Sequence, residues 1–424
     1  MRSVVLLMAC LLLGSSRARA DGPPWAALAD EAVQANPSLE AMRARERALR
    51  ERAEVAGARM DPMVSVELSN LPVTTFSLAD HGMAGVQLRA QQTLRPPTWS
   101  RLQRELGEQR ADAAGFATAE AELQLRGAVE RAWWTLARTR MLAQVTEEHL
   151  ARTEQLLDAA RARYETGGVG QYAVLRLGVL RDKLRDDLGD FIRGEAELEA
   201  ALSAALDRAP GGPFPTPTAV EPVAPPADAD WVALASATRP ALLRIAADRE
   251  VALQTAHLAR VDVWPDVTLW AGYRLRTAQS EMDPGTDLVS VGVGVPIPGG
   301  SARRADGDRA AALEEASGAA ASYDAALNGV EADMAGVIAR WSRAWDKVAA
   351  YDQTLIPGAR STLEATRADF VVGRAEFASL IDAEVALLDL ERARITAAVE
   401  THLQRADAVT VLGAPPPPGP GANE

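Results

Sequence analysis

The sequence is short of cysteine, histidine and excess positive charge, and each shortage excludes a class of protein. Its single cysteine, Cys10, lies in the first twenty residues, which excludes a fold held together by disulfides. Its 45 Lys and Arg face 58 Asp and Glu, giving a formal net charge of −13. Because a nucleic-acid-binding protein needs a net basic surface, we expect no nucleic-acid partner. The histidines, His81, His149, His257 and His402, include no pair at metal-ligand spacing, so we expect no bound metal.

Long apolar runs are missing beyond the N-terminus. The apolar run 4–13 follows Arg2 and precedes Ala18-Arg19-Ala20, a small-x-small pattern that signal peptidase cleaves, so residues 1–20 are predicted to be a signal peptide. Leu7-Met8-Ala9-Cys10 also resembles a lipoprotein cleavage box, so lipidation of Cys10 stays open. No later segment provides the roughly 20 uninterrupted apolar residues of a transmembrane helix. If the mature chain crosses a membrane, it does so as strands.

Catalytic motifs are missing as well. The sequence has no nucleophile elbow and no H-E-x-x-H motif, and its only cysteine leaves with the signal peptide. The glycine-rich segment 292–299 precedes a helical stretch as a phosphate-binding loop does, but its spacing is wrong and its prolines remove N–H donors. Carboxylate pairs lie on arginine-rich helix faces, where such groups are usually solvated ion pairs. We therefore predict that the protein is not an enzyme and needs no cofactor.

The mature chain contains an internal sequence repeat. Pro37 and Pro62 enclose a helical stretch that is followed by a strand pattern, and Pro240 and Pro265 do the same at an equal separation. Such agreement indicates an internal duplication. The predicted organisation is a signal peptide at 1–20, a first structural repeat at 21–208, a proline-rich linker at 209–228, a second repeat at 229–413 and a disordered tail at 414–424.

Each repeat contains two strand patterns, predicted near 63–71, 84–94, 266–276 and 287–296. Apolar and polar residues alternate strictly along them, as in membrane β-barrel strands, although a hairpin on a soluble helical core would alternate too. Aromatic residues near the strand ends are predicted to lie at the membrane interface: Trp99, Trp264, Trp270 and Tyr273. Four strands cannot close a barrel, so several chains would have to share one.

Long helical stretches follow each strand pair, at 98–163 and 301–369, and shorter ones return at 171–207 and 375–412. About 65 helical residues reach roughly 100 Å, and so long a helix needs lateral partners. The returning stretch carries Leu177, Leu184, Phe191 and Leu198 at heptad spacing. This spacing predicts coiled-coil packing between the helices.

Five short segments carry a resemblance to a known family: Ala35–Leu39, Met60–Val66, Arg163–Gly167, Asp369–Gly373 and Leu380–Ala383. In order, duplication and spacing they resemble the TolC-type outer-membrane efflux proteins over nearly the whole mature chain. The resemblance implies a mainly α-helical chain with membrane β-strands. It implies a homotrimer whose twelve-stranded barrel in outer-membrane lipid continues as a long α-helical coiled-coil barrel in the periplasm. It also implies two partners, a periplasmic adaptor (membrane fusion protein) and an inner-membrane RND-type pump.

The same resemblance assigns roles to two groups of residues. The helical turns far from the barrel become candidate adaptor contacts, at Tyr164, Gly167, Phe370, Gly373 and Arg374, although they could serve only to shape the turns. Family members narrow the pore mouth with rings of acidic residues that follow the second turn, and Asp382 matches this pattern. The second such acid is replaced here by Ser379. Alternatively, Asp382 is a solvated coiled-coil acid paired with an arginine.

The predicted function is therefore an outer-membrane channel of a tripartite efflux system that passively conducts metal ions or small toxic compounds. Asn70–Ser77 resembles the first extracellular loop of members that serve heavy-metal pumps, and nearby soft ligands suit Cu(I): Met60, Met63, His81 and Met83. A wide pore need not hold its cargo, so the substrate stays open. The alternative is a periplasmic coiled-coil adaptor without a pore. An adaptor of that kind would carry one helical hairpin between β-rich domains, whereas this chain shows two hairpins.

Overall fold

The computed structural model describes residues 23–419 except 279, 281, 283, 298 and 373. The predicted signal peptide and residues 420–424 of the predicted tail lie outside the described residues. Within them are the helices α1 (Pro24–Ala35), α2 (Pro37–Val55), α3 (Pro97–Glu165), α4 (Gln171–Ala205), α5 (Trp231–Thr238), α6 (Pro240–Val261), α7 (Ser301–Ala350), α8 (Ile356–Val371) and α9 (Phe377–Leu412). The strands are β1 (Met63–Ser69), β2 (Gly85–Leu94), β3 (Val267–Arg276) and β4 (Leu288–Gly294). None of the described helices is both long and apolar enough to cross a membrane.

The order of elements confirms the internal duplication. Two helices, two strands and a long helical hairpin follow one another from α1 to α4 and again from α5 to α9. The prediction missed α1 and α5, the short helices that precede the two prolines. Pro37 and Pro240 each begin a new helix, because proline lacks the N–H that a first turn leaves unused. The residues before them, Asn36 and Arg239, have extended backbones, as a following proline requires.

The second long helix is interrupted, unlike the first. A π-helical turn at Tyr351–Leu355 separates α7 from α8, whereas α3 runs without a break over 69 residues. Pro357 lies in the first turn of α8. In a regular α-helix the proline ring would clash with the carbonyl four residues earlier, and proline has no N–H to donate. A regular α-helix is therefore unfavourable at this point. The helical stretch predicted over 301–369 thus contains one π-helical turn at this point.

The four strands form one antiparallel sheet in the order β1-β2-β3-β4. Both predicted hairpins form, and β2 pairs with β3 to join them, with Leu88 opposite Tyr273. The register places most apolar residues of the four strands on one face, termed the apolar face, together with Gln92: Val64, Val66, Leu68, Val86, Leu88, Ala90, Leu94, Val267, Leu269, Ala271, Tyr273, Leu275, Val289, Val291 and Val293. The alternate residues form the polar face: Met63, Ser65, Glu67, Ser69, Gly85, Gln87, Arg89, Gln91, Thr93, Thr268, Trp270, Gly272, Arg274, Arg276, Leu288, Ser290, Gly292 and Gly294.

The chain divides into two compact units, and each unit draws on both repeats. Among the described residues, the helical unit comprises 23–36, 125–224 and 341–406, and the sheet unit comprises 37–124, 225–340 and 407–419. A core of large apolar side chains fills the helical unit, including Trp133, Trp134, Met141, Val348 and Val399. The sheet unit contains all four strands together with α2, α5 and α6.

The proline-rich stretch 209–224 is anchored to the helical unit although it has no helix or strand. Phe214 is buried. Trp133 in α3 donates its indole N–H to the carbonyl of Pro215 at 3.0 Å, and Trp341 in α7 donates to Val223 at 2.8 Å. Corresponding regions of the two long helices thus supply the hydrogen-bond donors that this stretch lacks in regular structure.

Candidate functional site

The first helical hairpin reverses at Gly167. Its N–H donates to the carbonyl of Tyr164 at 3.0 Å, and the N–H of Gly168 donates to that of Arg163 at 2.7 Å, closing the end of α3. Gly167 has φ +76°, a conformation that glycine adopts at little cost. No atom lies within 4 Å of where a Cβ would stand. The turn therefore requires glycine for its backbone conformation and not for lack of space.

The second hairpin reverses between α8 and α9, and the two reversals touch. The Arg163 guanidinium lies 4.7 Å from the ring centre of Phe370, which in turn meets Phe377 edge to face at 5.1 Å. The N–H of Arg374 donates to the carbonyl of Asp369 at 2.8 Å. Four predicted contacts, Tyr164, Gly167, Phe370 and Arg374, thus lie on two adjoining turns, and Gly373 lies outside the described residues.

The predicted pore-mouth acid lies on the first turns of α9 and is exposed. Arg176 of α4 donates to the Asp382 carboxylate. Ser379 is exposed one turn earlier on the same helix. Within one chain, Asp382 thus fits the alternative interpretation, in which it is an exposed helix acid that pairs with an arginine. The pairing neutralises part of the charge that a ring of such acids would carry.

Two of the predicted interface aromatics lie where helices meet strands. Trp99, at the start of α3, donates its indole N–H to Asp262 at 3.0 Å, and the Arg95 guanidinium lies 4.1 Å from its ring centre. Trp264 precedes β3 and is 72% exposed. It borders a largely apolar groove of about 700 Å³, which Leu94 and Val267 also line. An amphipathic ring so exposed suits the boundary between water and lipid.

The other two predicted aromatics lie on opposite faces of β3. Tyr273 belongs to the apolar face and donates its hydroxyl to Asp287 at 2.5 Å. Trp270 belongs to the polar face, where its ring lies against Gly292. Trp270 therefore lies on the face of β3 opposite to that of Tyr273.

The prediction did not single out a buried ionic cluster in the helical unit. His149 of α3 is 1% exposed and places Nδ1 2.9 Å from Glu384 and Nε2 3.0 Å from Glu391, both on α9. Arg360 of α8 lies 2.8 Å from the second oxygen of Glu391. A signal was present in the sequence, because the two acids are spaced seven residues apart and so share one helix face.

The ionisation of this cluster is shifted by its contacts. Burial by itself would lower the pKa of His149, but the close carboxylate of Glu384 and the hydrogen bond with Glu391 outweigh burial and raise it. The hydrogen bond from His149 in turn lowers the pKa of Glu391 to about 2, aided by Arg360. The two carboxylates thus favour the protonated form of His149, and the cluster joins α3, α8 and α9.

Three of the predicted soft ligands accept hydrogen bonds from neighbouring residues. Met60 and Met63 accept hydrogen bonds from Gln92 and Gln91, through a backbone carbonyl and the thioether respectively. His81 accepts one from the N–H of Met83 at 3.2 Å. Among the residues that the structure describes, no group of three or more His, Cys, Asp or Glu could hold a metal ion.

Comparisons with known proteins identify the family. The family model described as outer membrane efflux protein matches residues 28–176 and 231–414. No curated protein matches the chain. The first matched range begins within α1 and ends in the first turns of α4. The second begins at the start of α5 and ends just after α9.

Solved structures share the fold. VceC from Vibrio cholerae is 20% identical, covers 92% of this chain and 96% of its own, and has a TM-score of 0.75. A membrane protein from Pseudomonas aeruginosa is 17% identical with coverages of 92% and 94% and a TM-score of 0.76. The MtrE channel from Neisseria gonorrhoeae is also 17% identical, with coverages of 92% and 89% and a TM-score of 0.74.

Several predictions are confirmed by these findings: the family, the mainly helical fold with an internal repeat, the efflux-channel function, the absence of enzymatic activity and the outer-membrane location. Family members work with adaptor proteins and inner-membrane pumps, and the alternative of an adaptor without a pore receives no support. The chain belongs to the outer membrane efflux protein family and is an outer-membrane channel of a tripartite efflux system.

Proposed function

We propose that three copies of the chain form a homotrimer whose twelve strands close one β-barrel in outer-membrane lipid. The observation that carries this proposal is the apolar face of the sheet, on which Val66 and Val291 are 69% and 76% exposed. An apolar patch that spans four strands would promote aggregation in water but suits a lipid environment.

The strand order supports sharing of the barrel between chains. β1 and β4 each have one partner among the described strands, so each leaves an edge unpaired. Every unpaired N–H or C=O costs several kcal/mol in lipid, and four strands are too few to close a barrel. Pairing β1 of one copy with β4 of the next removes both edges. The number of three copies follows the family resemblance.

The two hairpin turns are the proposed adaptor contacts, and the inner-membrane partner is a pump of the RND type. Apolar residues remain exposed at these turns, with Val371 and Val372 more than 60% exposed and Tyr164 nearly half exposed. Arg374 adds a charge beside them. Such a mixture of apolar and basic groups fits a protein partner.

Asp382 is the proposed constriction residue at the pore mouth, where three copies would form an acidic ring, with Ser379 one turn away. Its exposure leaves the carboxylate accessible although Arg176 pairs with it. A ring of three acids concentrates multivalent cations at the mouth. For the cargo, both proposed classes stand, metal ions and small toxic compounds.

Engineered cysteines test the trimer directly, because the only native cysteine lies in the predicted signal peptide. Ser65 on β1 and Ser290 on β4 both belong to the polar face. In membranes, S65C combined with S290C should give disulfide-linked trimers on a non-reducing denaturing gel. S65C combined with V291C, on the opposite face, is the matched control and should link poorly. A mature chain that is monomeric and soluble without detergent would overturn the proposal.

A further inference from the structure

We infer that Arg89 and Arg274 make the polar face of the sheet an anion-binding surface, so that the barrel favours anionic solutes. This inference rests on the proposed trimer, in which the polar face lines the barrel interior. It names a substrate class for the channel that differs from the metal cations considered above.

The register brings the two arginines together. Arg89 on β2 stands opposite Gly272 on β3, and Arg274 lies two residues farther along β3 on the same face. Diagonal neighbours of this kind are about 7–8 Å apart, within reach of long side chains. Arg276 follows Arg274 on the same face at the end of the strand. The central strands therefore carry a row of guanidinium groups.

The contacts of both arginines are neutral. Arg274 donates to the side-chain oxygen of Gln87 at 2.8 Å and to the carbonyl of Met83 at 3.5 Å. Arg89 stacks on the ring of Trp270, with its guanidinium carbon 4.7 Å from the ring centre. Arg95, just beyond β2, differs because it pairs with Asp266 at 3.2 Å. The positive charges of Arg89 and Arg274 are thus left uncompensated by these contacts.

Trp270 holds Arg89 in place, and Gly292 makes room for Trp270. A Cβ at position 292 would lie 2.4 Å from the indole ring, so only glycine lets the ring lie across β4. The ring face then supports the guanidinium through a cation–π contact. Because a stacked guanidinium keeps its N–H edges available, Arg89 is prepared to bind an anion.

Acidic groups on this face are few. Glu67 is the one acid among the described polar-face residues of the strands, against three arginines. Like charges held near one another repel, and a bound anion relieves that repulsion. In three copies the surface would offer a ring of arginines, which attracts phosphates, sulfonates or carboxylates most strongly when they carry several charges. Salt would weaken this attraction, because the Debye length falls from about 10 Å at 0.1 M to about 3 Å at 1 M.

The test uses the purified full chain in planar bilayers, with inorganic triphosphate added to either side. At 0.1 M KCl we expect triphosphate to block the current from at least one side, and 1 M KCl to relieve the block. In R89Q/R274Q the concentration for half-block should rise at least tenfold, because charge-assisted hydrogen bonds of this kind are each worth a factor of ten or more. R89K/R274K keeps the charge and should retain most of the block.

A matched control removes one arginine elsewhere. R47Q changes an exposed helix arginine that pairs with Glu40, and it should leave the block unchanged. Trimer migration on a gel confirms that every variant assembles. An unaltered block in R89Q/R274Q, in channels of normal conductance, would overturn this inference and leave the pore intact. Absence of any conductance in the unmodified chain would instead overturn the pore and this inference together.

Discussion

Arg176 of α4 and Asp382 of α9 form an ion pair across two helices, although 206 positions separate them in the chain. Asp382 remains 64% exposed on its side chain. Exposed pairs of this kind contribute roughly 0–1 kcal/mol to folding, so stability gives little reason for the contact. Its consequence is electrostatic, because Arg176 reduces the negative charge that Asp382 would present at the proposed pore mouth.

Charge substitutions at this pair should therefore change cation block in opposite directions. D382N should weaken block by a multivalent cation such as hexaamminecobalt, and R176Q should strengthen it, each by several-fold at low salt. Single-channel recording in planar bilayers measures both. S379A, one turn away and uncharged, is the control. Equal block in D382N and the unmodified channel would show that Asp382 does not line the pore mouth.

Two substitutions at Gly167 distinguish an effect on the shape of the turn from an effect on contact with the adaptor. G167A and G167E both impose the strain of a side chain at positive φ, about 1 kcal/mol, but only G167E adds bulk and charge. We expect G167E to abolish efflux with normal trimers, and G167A to retain it. Drug or metal resistance of cells, together with trimer content on a gel, provides the measurement. Full efflux in G167E would show that this turn does not meet the adaptor.

Loss of His149 should destabilise the helical unit and alter its dependence on pH. The raised pKa of His149 contributes stability that is present below its unfolded value near 6.5 and is lost as pH rises through the folded pKa. The lowered pKa of Glu391 contributes stability that is present above its unfolded value of 4.5 and is lost as pH falls towards about 2. We expect maximal stability between these limits, and a loss of roughly 3–5 kcal/mol in H149Q.

Thermal unfolding followed by circular dichroism at pH 6 and pH 9 measures this effect. The unmodified protein should lose stability between the two values, and H149Q should lose much less. H257Q, which replaces an exposed histidine of α6, is the matched control and should follow the unmodified protein. A pH response of H149Q equal to that of the unmodified protein would contradict the role assigned to the cluster.

Removing either tryptophan that binds the proline-rich stretch should destabilise the helical unit. W133F and W341F each leave a carbonyl, of Pro215 or Val223, without its donor, at a cost of about 1–3 kcal/mol. W264F, at an exposed position, should change stability by less than about 0.5 kcal/mol. Denaturant unfolding in detergent compares the three. Losses in W133F and W341F as small as that in W264F would show that these two hydrogen bonds contribute little to stability.

The regular elements could be predicted because their signals are local. Alternation of apolar and polar residues defined the four strands to within a few residues, and the repeated prolines revealed the duplication. The same alternation places Trp270 and Tyr273 on opposite faces of β3, which the prediction overlooked when it grouped the two rings. The helix α5 was missed because its eight residues, six of them apolar, are too few to show a helical period.

Contacts between distant segments could not be predicted in the same way. His149 meets Glu391 across 242 positions, and the chain's many arginines and acids offer numerous equally plausible partners for Asp382. Only the packing of α3 and α4 against α9 selects among them. The residues at the candidate site were thus predictable by resemblance, whereas their pairings required the fold.

The π-helical turn beside Pro357 occurs in one hairpin of the chain and has no counterpart in the other. In the proposed trimer, six hairpins would therefore be of two alternating kinds. Their ring would have three-fold and not six-fold symmetry. A docking protein would consequently meet two inequivalent kinds of hairpin in alternation, and only every second one would contain the π-helical turn.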